Sequence, residues 1–152
     1  MSRIERIKVE DLHPAVWRTE VKIRFGQCDP AGIVYTPNYF DIFNGVVEDW
    51  YPASLGLDYH AILRDDRIGL GYAHASADFL LPGFMGESLE VAVVLSKLGR
   101  ASFSLTLHAM KGADEAVRGR LVVVCTSLDE NKAIPIPPKL RDALEAYQAR
   151  TA

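Results

Sequence analysis

Residues 36–51 constrain the fold of this chain more than any other stretch, because they predict a helix that is apolar almost all the way round. Pro37 suits the first turn of a helix, Thr36 before it is a capping residue type, and Pro52 ends the pattern. Two apolar rows follow the helix, namely Tyr39, Phe43, Val46 and Trp50, and Phe40, Val47 and Tyr51. A narrow polar stripe separates them and consists of Asp41, Asn44 and Glu48. Such a helix must be enclosed by other parts of the protein.

Most of the remaining chain carries strand patterns joined by short turns. Residues 19–25 and 101–110 alternate between apolar and polar side chains, which is typical of half-buried strands. The other predicted elements are strands over 67–80, 88–96 and 116–127, a short helix over 54–64, and a C-terminal helix around 140–147. Short turns make successive strands antiparallel neighbours. The sequence therefore predicts an α+β layer fold, in which one sheet face packs on the long helix and the other is polar or pairs with another subunit.

Composition narrows the class of protein. A length of 152 residues predicts one domain, which we expect over 18–152 after an N-terminal leader segment at 1–17. The hydrophobic share of 49% argues against disorder, and a net charge of −3 argues against nucleic-acid binding. The N-terminus has no signal-peptide pattern, and no apolar run approaches the ~20 residues of a membrane span. With only two cysteines, Cys28 and Cys125, we expect a cytoplasmic protein with reduced thiols.

Several common catalytic and ligand-binding motifs are absent from the sequence. It contains no Gly-x-Ser-x-Gly elbow and no P-loop. Gly69 and Gly71 lie within a predicted strand and lack the third glycine of a dinucleotide-binding fingerprint. The four histidines are scattered without an i, i+4 pair, so we expect no metal site.

The stretch 24–40 places a carboxylate just ahead of the long helix. Asp29-Pro30-Ala31-Gly32 has the residue order of a type I turn. The first N–H groups of a helix are unpaired and carry partial positive charge. A carboxylate that attacks a carbonyl or activates water, beside amides that stabilise the oxyanion, suits thioester hydrolysis. The residues alone leave open whether Asp29 is a catalyst or simply starts a turn.

The segment Gly26 to Phe40 reads G-x-C-D-P-A-G-I-V-Y-x-P-N-Y-F. It resembles the signature of the 4-hydroxybenzoyl-CoA thioesterase family in the hotdog-fold superfamily, and the element order over 19–130 agrees. The resemblance implies a five-stranded antiparallel sheet wrapped around one long helix, in homodimers that pair sheet edges and often form homotetramers. It implies an acyl-CoA thioesterase without a metal or redox cofactor, with coenzyme A present only as part of the substrate.

The resemblance also assigns roles to residues of this chain. Asp29 is the expected catalytic carboxylate, as nucleophile or general base, and the backbone N–H of Thr36 is expected to meet the thioester oxygen. Pro30 and Gly32 shape the loop. The expected substrate-binding residues are Pro30, Gly32, Tyr35, Asn44, Lys97, Arg100 and Ser102. Among them, Lys97 and Arg100 are expected to hold the coenzyme A phosphates, partly across a subunit boundary, and Ser102 to contact pantetheine. Arg118 and Arg120 form either a second basic patch or the solvated side of a strand.

Three positions depart from the family pattern. Gln27 stands where many members carry an acid, and Tyr35-Thr36 stands where a branch associated with the Tol-Pal system carries a histidine. Asn44 stands where members specific for 4-hydroxybenzoyl-CoA carry an acid that meets the phenol hydroxyl, which puts that substrate in doubt.

Three alternatives to the acyl-CoA thioesterase remain open. One is a thioesterase acting on acyl groups of acyl carrier protein, another is a non-catalytic acyl-CoA binder, and the third uses Cys28 as a thiol nucleophile. No histidine lies near Cys28 in sequence to activate its thiol. The absence of histidine from residues 24–40 also disfavours a hotdog dehydratase.

Overall fold

The structure, a computed structural model, describes residues 4–152. The strands are β1 (Arg18–Lys22), β2 (Ile68–Phe79), β3 (Ser88–Leu98), β4 (Ser102–Lys111), β5 (Asp114–Ser127) and β6 (Lys132–Ala133). The helices are α1 (Asn38–Trp50), α2 (Tyr59–Arg64) and α3 (Pro138–Arg150). Every strand pairing is antiparallel, the strand order is β1-β3-β4-β5-β2, and the two-residue β6 adds a short sixth strand beside β5.

Helix α1 lies within the curled sheet, as its all-round apolar pattern predicts. The inward side chains of the helix and of β3, β4 and β5 form one continuous buried cluster. The backbone of β5 approaches helix α1 closely at Gly119, where a Cβ atom would lie 2.7 Å from Cε2 of Phe43. Glycine at this position therefore allows α1 to pack directly on the centre of the sheet.

The α-helix ends at Trp50, and the chain continues as one π-helical turn over Tyr51–Leu55 that contains Pro52. Gly56, at φ +67°, occupies the left-handed conformation that closes this turn. At the other end of α1, Pro37 has helical backbone angles as predicted, whereas the prediction of Thr36 as a cap is wrong, since no side chain caps the helix within the described residues.

Helix α3 closes the open end of the core through Tyr147. The phenol of Tyr147 donates to the Val93 carbonyl at 2.6 Å and accepts the Trp17 N–H at 2.9 Å. Its ring packs edge-on against Trp50 at a centroid distance of 5.3 Å. One buried residue thereby joins the sheet, the long helix and the segment before β1.

The outer face of the sheet is covered at one end by the N-terminal segment. Leu12 and Val16 are buried against Ala92 and Met110 on this face. Residues 1–3 of the predicted leader lie outside the described residues, and residues 4–17 pack on the sheet. Within the described part of the chain, no helix is both long and apolar enough to cross a membrane.

The other strand bounds differ from the predictions by a few residues. The predicted strand over 19–25 stops at Lys22, because Phe25–Gln27 form a single 3-10 turn. Phe25, placed with the inward residues by alternation, is instead 81% exposed. The alternation ends where the chain leaves the sheet, so the residue loses the strand geometry that would turn it inward.

Candidate functional site

Asp29 begins a tight hairpin that is held by its own side chain. Its carboxylate Oδ1 accepts the N–H of Ala31 at 2.9 Å, and its carbonyl accepts the N–H of Gly32 at 2.9 Å. The Asp29 N–H donates to the Ile33 carbonyl at 2.9 Å, and Gly32 takes the left-handed conformation at φ +79°. The predicted turn is therefore present, and we call residues 28–34 the Asp29 loop. One carboxylate oxygen thus helps to shape the loop, and Oδ2 is free of protein donors within the described residues.

Gln27 ties the Asp29 loop to the start of α1. Its carbonyl accepts the Tyr35 N–H at 2.9 Å and the Asn38 side-chain amide at 2.9 Å. Its side-chain oxygen accepts the Arg24 N–H at 2.9 Å. These bonds fix the position of the Asp29 loop relative to the start of α1. The polar side chain of Gln27 therefore has a structural role that needs no charge.

The Thr36 N–H is the unpaired donor at this helix end. It points to no protein acceptor within residues 4–152, although the neighbouring N–H groups of Tyr35 and Asn38 are bonded. Thr36 and Tyr35 are exposed, and Asp29 is half-buried. An exposed amide at the positive end of a 13-residue helix is suited to bind a developing oxyanion.

A second loop, residues 80–87, lies against the Asp29 loop, and we call it the support loop. The Val34 N–H donates to the Gly83 carbonyl at 3.0 Å, and the Met85 N–H donates to the Gly32 carbonyl at 2.8 Å. At its other end, the Leu80 and Leu81 N–H groups share the Ala116 carbonyl of β5. A short turn between the strands predicted at 67–80 and 88–96 was expected, but its contacts with the Asp29 loop were not predicted, because its residues are distant in sequence from Asp29 and carry no motif.

A cavity of about 270 Å³ opens between these two loops and the end of β2. It is lined by Ile33, Val34, Thr36, Tyr39, Phe79, Leu80, Leu81, Pro82 and Gly83. The walls are largely apolar, and Thr36 brings the helix start to its edge. The space is therefore suited to an apolar chain that ends at the unpaired amide.

Cys28 precedes Asp29 and is half-buried, with its thiol 3.5 Å from the Arg24 carbonyl. None of the described residues forms a His–Cys pair with it. The geometry therefore offers the thiol no base for activation.

The polar stripe of α1 makes two side-chain contacts on the exposed side of the helix. The Tyr72 hydroxyl of β2 donates to Asn44 Oδ1 at 2.9 Å, and His60 Nε2 lies 2.9 Å from the Glu48 carboxylate. Burial is the main cause that raises the pKa of Tyr72, so its phenol is protonated and donates at neutral pH. The Asn44 amide is thereby oriented with its Nδ2 donors free.

The residues expected to bind coenzyme A lie at the other end of the sheet. The Asp29 loop lies near the Ser88 end of β3. Gly32 of the loop accepts the Met85 N–H, and Ile23 before the loop donates its N–H to the carbonyl of Glu87, the residue that precedes β3. Lys97 and Arg100 lie near the Leu98 end of β3, a strand that measures about 33 Å along its own path at ~3.3 Å per residue. Both are exposed, and Ser102 is half-buried beside them. Within one chain, the structure therefore does not bring Lys97, Arg100 and Ser102 together with Asp29.

The suggested second basic patch on β5 is reduced to one residue. Arg118 is ion-paired with the buried Glu115 and donates to the Glu5 carbonyl. Arg120 is exposed and makes no ion pair with the described residues. Among residues 4–152, no group of three or more His, Cys, Asp or Glu side chains is arranged to hold a metal ion.

Comparison with known proteins identifies the superfamily to which this fold belongs. Residues 23–144 match a family model described as the thioesterase-like superfamily. This chain belongs to the thioesterase-like superfamily. The match confirms the predicted hotdog fold and the predicted class of enzyme, a thioester hydrolase.

Individual thioesterase-like relatives refine the comparison. A 1,4-dihydroxy-2-naphthoyl-CoA hydrolase from Synechococcus elongatus is 27% identical over 124 residues, which cover 81% of this chain and 90% of that protein. A crystal structure of a 1,4-dihydroxy-2-naphthoyl-CoA thioesterase from Synechocystis aligns with a TM-score of 0.77 at 24% identity, over 85% of this chain and 95% of that one. A gentisyl-coenzyme A thioesterase aligns with a TM-score of 0.76 at 24% identity, over 84% and 99%. The prediction is thus confirmed at the level of the superfamily. These relatives carry names other than that of the predicted family, 4-hydroxybenzoyl-CoA thioesterase.

Proposed function

We propose that this protein hydrolyses an acyl-CoA thioester to a free acid and coenzyme A, with Asp29 as the catalytic carboxylate. The observation that carries the proposal is the pairing of Asp29, fixed in its hairpin by the Ala31 amide, with the unpaired Thr36 N–H at the start of α1. A nucleophile or base and an oxyanion donor thereby lie on consecutive rigid segments.

In the proposed reaction, the Thr36 N–H binds the thioester oxygen while negative charge develops on it. Asp29 either takes a proton from the attacking water or attacks the carbonyl carbon itself to form an anhydride that water then opens. In both routes the carbon–sulfur bond breaks, the sulfur leaves as a thiolate and takes up a proton, and the acid is released. Pro30, Gly32 and Tyr35 serve as the walls that hold the thioester at this position.

The proposal includes an aromatic acyl group bound beside Asn44. Two relatives are named for aromatic acyl-CoA substrates, namely 1,4-dihydroxy-2-naphthoyl-CoA and gentisyl-CoA. Asn44 lies on the exposed stripe of α1 with its amide donors free, because Tyr72 occupies Oδ1. An oxygen substituent on an aromatic ring is a suitable acceptor for those donors.

The proposal further includes an oligomer in which a neighbouring subunit completes the site. Lys97, Arg100 and Ser102 are far from Asp29 within one chain, so they would contact coenzyme A bound to the adjacent subunit. Strand β2 ends the sheet, its outer edge pairs with no other strand among residues 4–152, and it carries the exposed Tyr72 and Phe79. Edge pairing through β2 in a homodimer, with dimers associating into a homotetramer, is the arrangement we propose.

The test is release of coenzyme A by the purified protein from a panel of aromatic, short-chain and long-chain acyl-CoAs. We expect turnover with at least one aromatic acyl-CoA, and a loss of about 100-fold or more in kcat for Asp29→Asn. The matched control is Asp142→Asn, an exposed carboxylate on α3 that should leave kcat unchanged.

Full activity of Asp29→Asn would overturn the assignment of the catalytic residue. Turnover of acyl carrier protein thioesters alone would replace coenzyme A as the carrier. Tight acyl-CoA binding without turnover of any thioester would favour the non-catalytic binder.

A further inference from the structure

We propose that Lys111, at the end of β4, is a positioning residue that clamps the support loop and so fixes the catalytic geometry of the Asp29 loop. The inference rests on the proposed function in that it assigns Lys111 a role in turnover. Its structural part, the clamping of one loop by one side chain, stands on contacts alone.

Lys111 contacts the support loop at three points. Its ammonium group donates to the Pro82 carbonyl at 3.0 Å and lies 3.0 Å from the Glu87 carboxylate. The same ammonium lies 4.8 Å from the centre of the Phe84 ring. The charged side chains of Lys111 and Glu87 are both half-buried, and one ammonium group makes all three contacts.

Glu87 closes the clamp within the support loop. Its carboxylate accepts the Phe84 N–H at 2.7 Å, so one oxygen is bound by both a backbone amide and Lys111. These two donors, the Phe84 amide first and Lys111 second, hold the pKa of Glu87 below its ordinary value. The ion pair is therefore intact at neutral pH.

The clamped residues are those that bind the Asp29 loop. Pro82 and Phe84 flank Gly83, whose carbonyl accepts the Val34 N–H, and Phe84 itself bridges to Ile33. Ile33 in turn accepts the Asp29 N–H. Three short steps thus connect the ammonium group to the backbone of Asp29. The side-chain contacts of Lys111 are with Pro82, Phe84 and Glu87, and not with Asp29 or Thr36. Lys111 therefore acts on the catalytic residues through the support loop.

The test compares Lys111→Met, which keeps an apolar stem without charge, with Lys111→Arg and with the exposed control Lys139→Met. Hydrogen exchange followed by mass spectrometry should show the amides of Val34 and Met85 exchanging about fivefold faster in Lys111→Met, with the rest of the sheet unchanged. Turnover should fall by about 10-fold in kcat, because the carboxylate of Asp29 is displaced from its catalytic position. Lys111→Arg should restore most of both properties, and Lys139→Met should resemble the unaltered protein.

Unchanged exchange at Val34 and Met85 in Lys111→Met would overturn the clamp. Faster exchange with unchanged kcat would overturn the positioning role, and faster exchange throughout the sheet would show that Lys111 only stabilises the fold. If the unaltered protein hydrolyses no thioester, the proposed function fails by itself, and the exchange experiment still decides whether Lys111 holds the two loops together.

Discussion

Gly83 occupies a position where any side chain collides with its neighbours. A Cβ atom there would lie 2.7 Å from Cδ1 of Ile23 and 2.7 Å from the Tyr39 hydroxyl. We expect Gly83→Ala to lower the free energy of unfolding by about 1–3 kcal/mol, because the buried neighbours must shift. Denaturant unfolding measures the change. Gly26→Ala is the matched control, since a Cβ at Gly26 meets no atom within 4 Å; equal stabilities of the two variants would contradict the close packing.

The two cysteines differ in the burial of their thiols. Burial raises the pKa of Cys125 to about 11, so less than about one part in a hundred is thiolate at pH 8. Cys28 is half-buried beside Asp29. We expect iodoacetamide at pH 8 to alkylate Cys28 in the folded protein and to reach Cys125 only after unfolding, as followed by peptide mass spectrometry. Labelling of both residues at one rate in the folded state would show that β5 opens locally.

At the scale of elements, one buried carboxylate joins β4, β5 and the N-terminal segment. Glu115 is fully buried and accepts donors from Arg118, from His108 at 2.5 Å and from the Ile7 N–H at 3.1 Å. Burial alone would raise its pKa, but these donors outweigh burial and hold the pKa below the ordinary value. Burial lowers the pKa of His108, so its neutral ring donates Nδ1–H to the carboxylate.

We expect Glu115→Gln to lower the free energy of unfolding by about 3 kcal/mol at pH 7, because Arg118 loses its buried counter-charge. A carboxyl group whose pKa is lower in the folded state than in the unfolded state stabilises the fold at pH values above the unfolded-state pKa. This stabilisation is lost as pH falls through the folded-state pKa. The difference between Glu115→Gln and the unaltered protein should therefore shrink in acid. Denaturant unfolding from pH 7 to pH 3 measures it, with the exposed Glu20→Gln as control. A difference that is constant with pH would show that Glu115 is not ionised.

The elements follow from sequence because their determinants are local. Periodicity located α1 and the long strands within a few residues, and the apolar circumference of α1 required the enclosing sheet. The Asp29 turn was likewise local, since Asp, Pro and Gly specify it in four residues. The contacts made by the support loop, by Lys111 and by the Glu115 cluster were not predicted, because each of them joins residues far apart in the chain.

At the scale of the whole molecule, the coarse function follows from one contiguous motif, whereas the substrate does not. Asn44, Tyr72, Glu48 and His60 lie on an exposed surface whose final shape depends on what covers it. The outer edge of β2, unpaired within the part of the chain that the structure describes, and the exposed aromatic residues are consistent with a neighbouring subunit there. If a neighbouring subunit covers this surface, as we propose, the identity of the acyl group is a property of the assembly and not of any one stretch of sequence.

The separation of Asp29 from Lys97 and Arg100 along β3 has a consequence for genetics. If each site takes its carboxylate from one chain and its phosphate-binding residues from the neighbour, two inactive alleles can complement each other. Mixing Asp29→Asn with a Lys97→Ala/Arg100→Ala double variant, after dissociation and reassembly, should restore about a quarter of normal turnover, because half of the random dimers carry one intact site. Activity of the mixture no higher than that of its components would mean that each chain holds a complete site of its own.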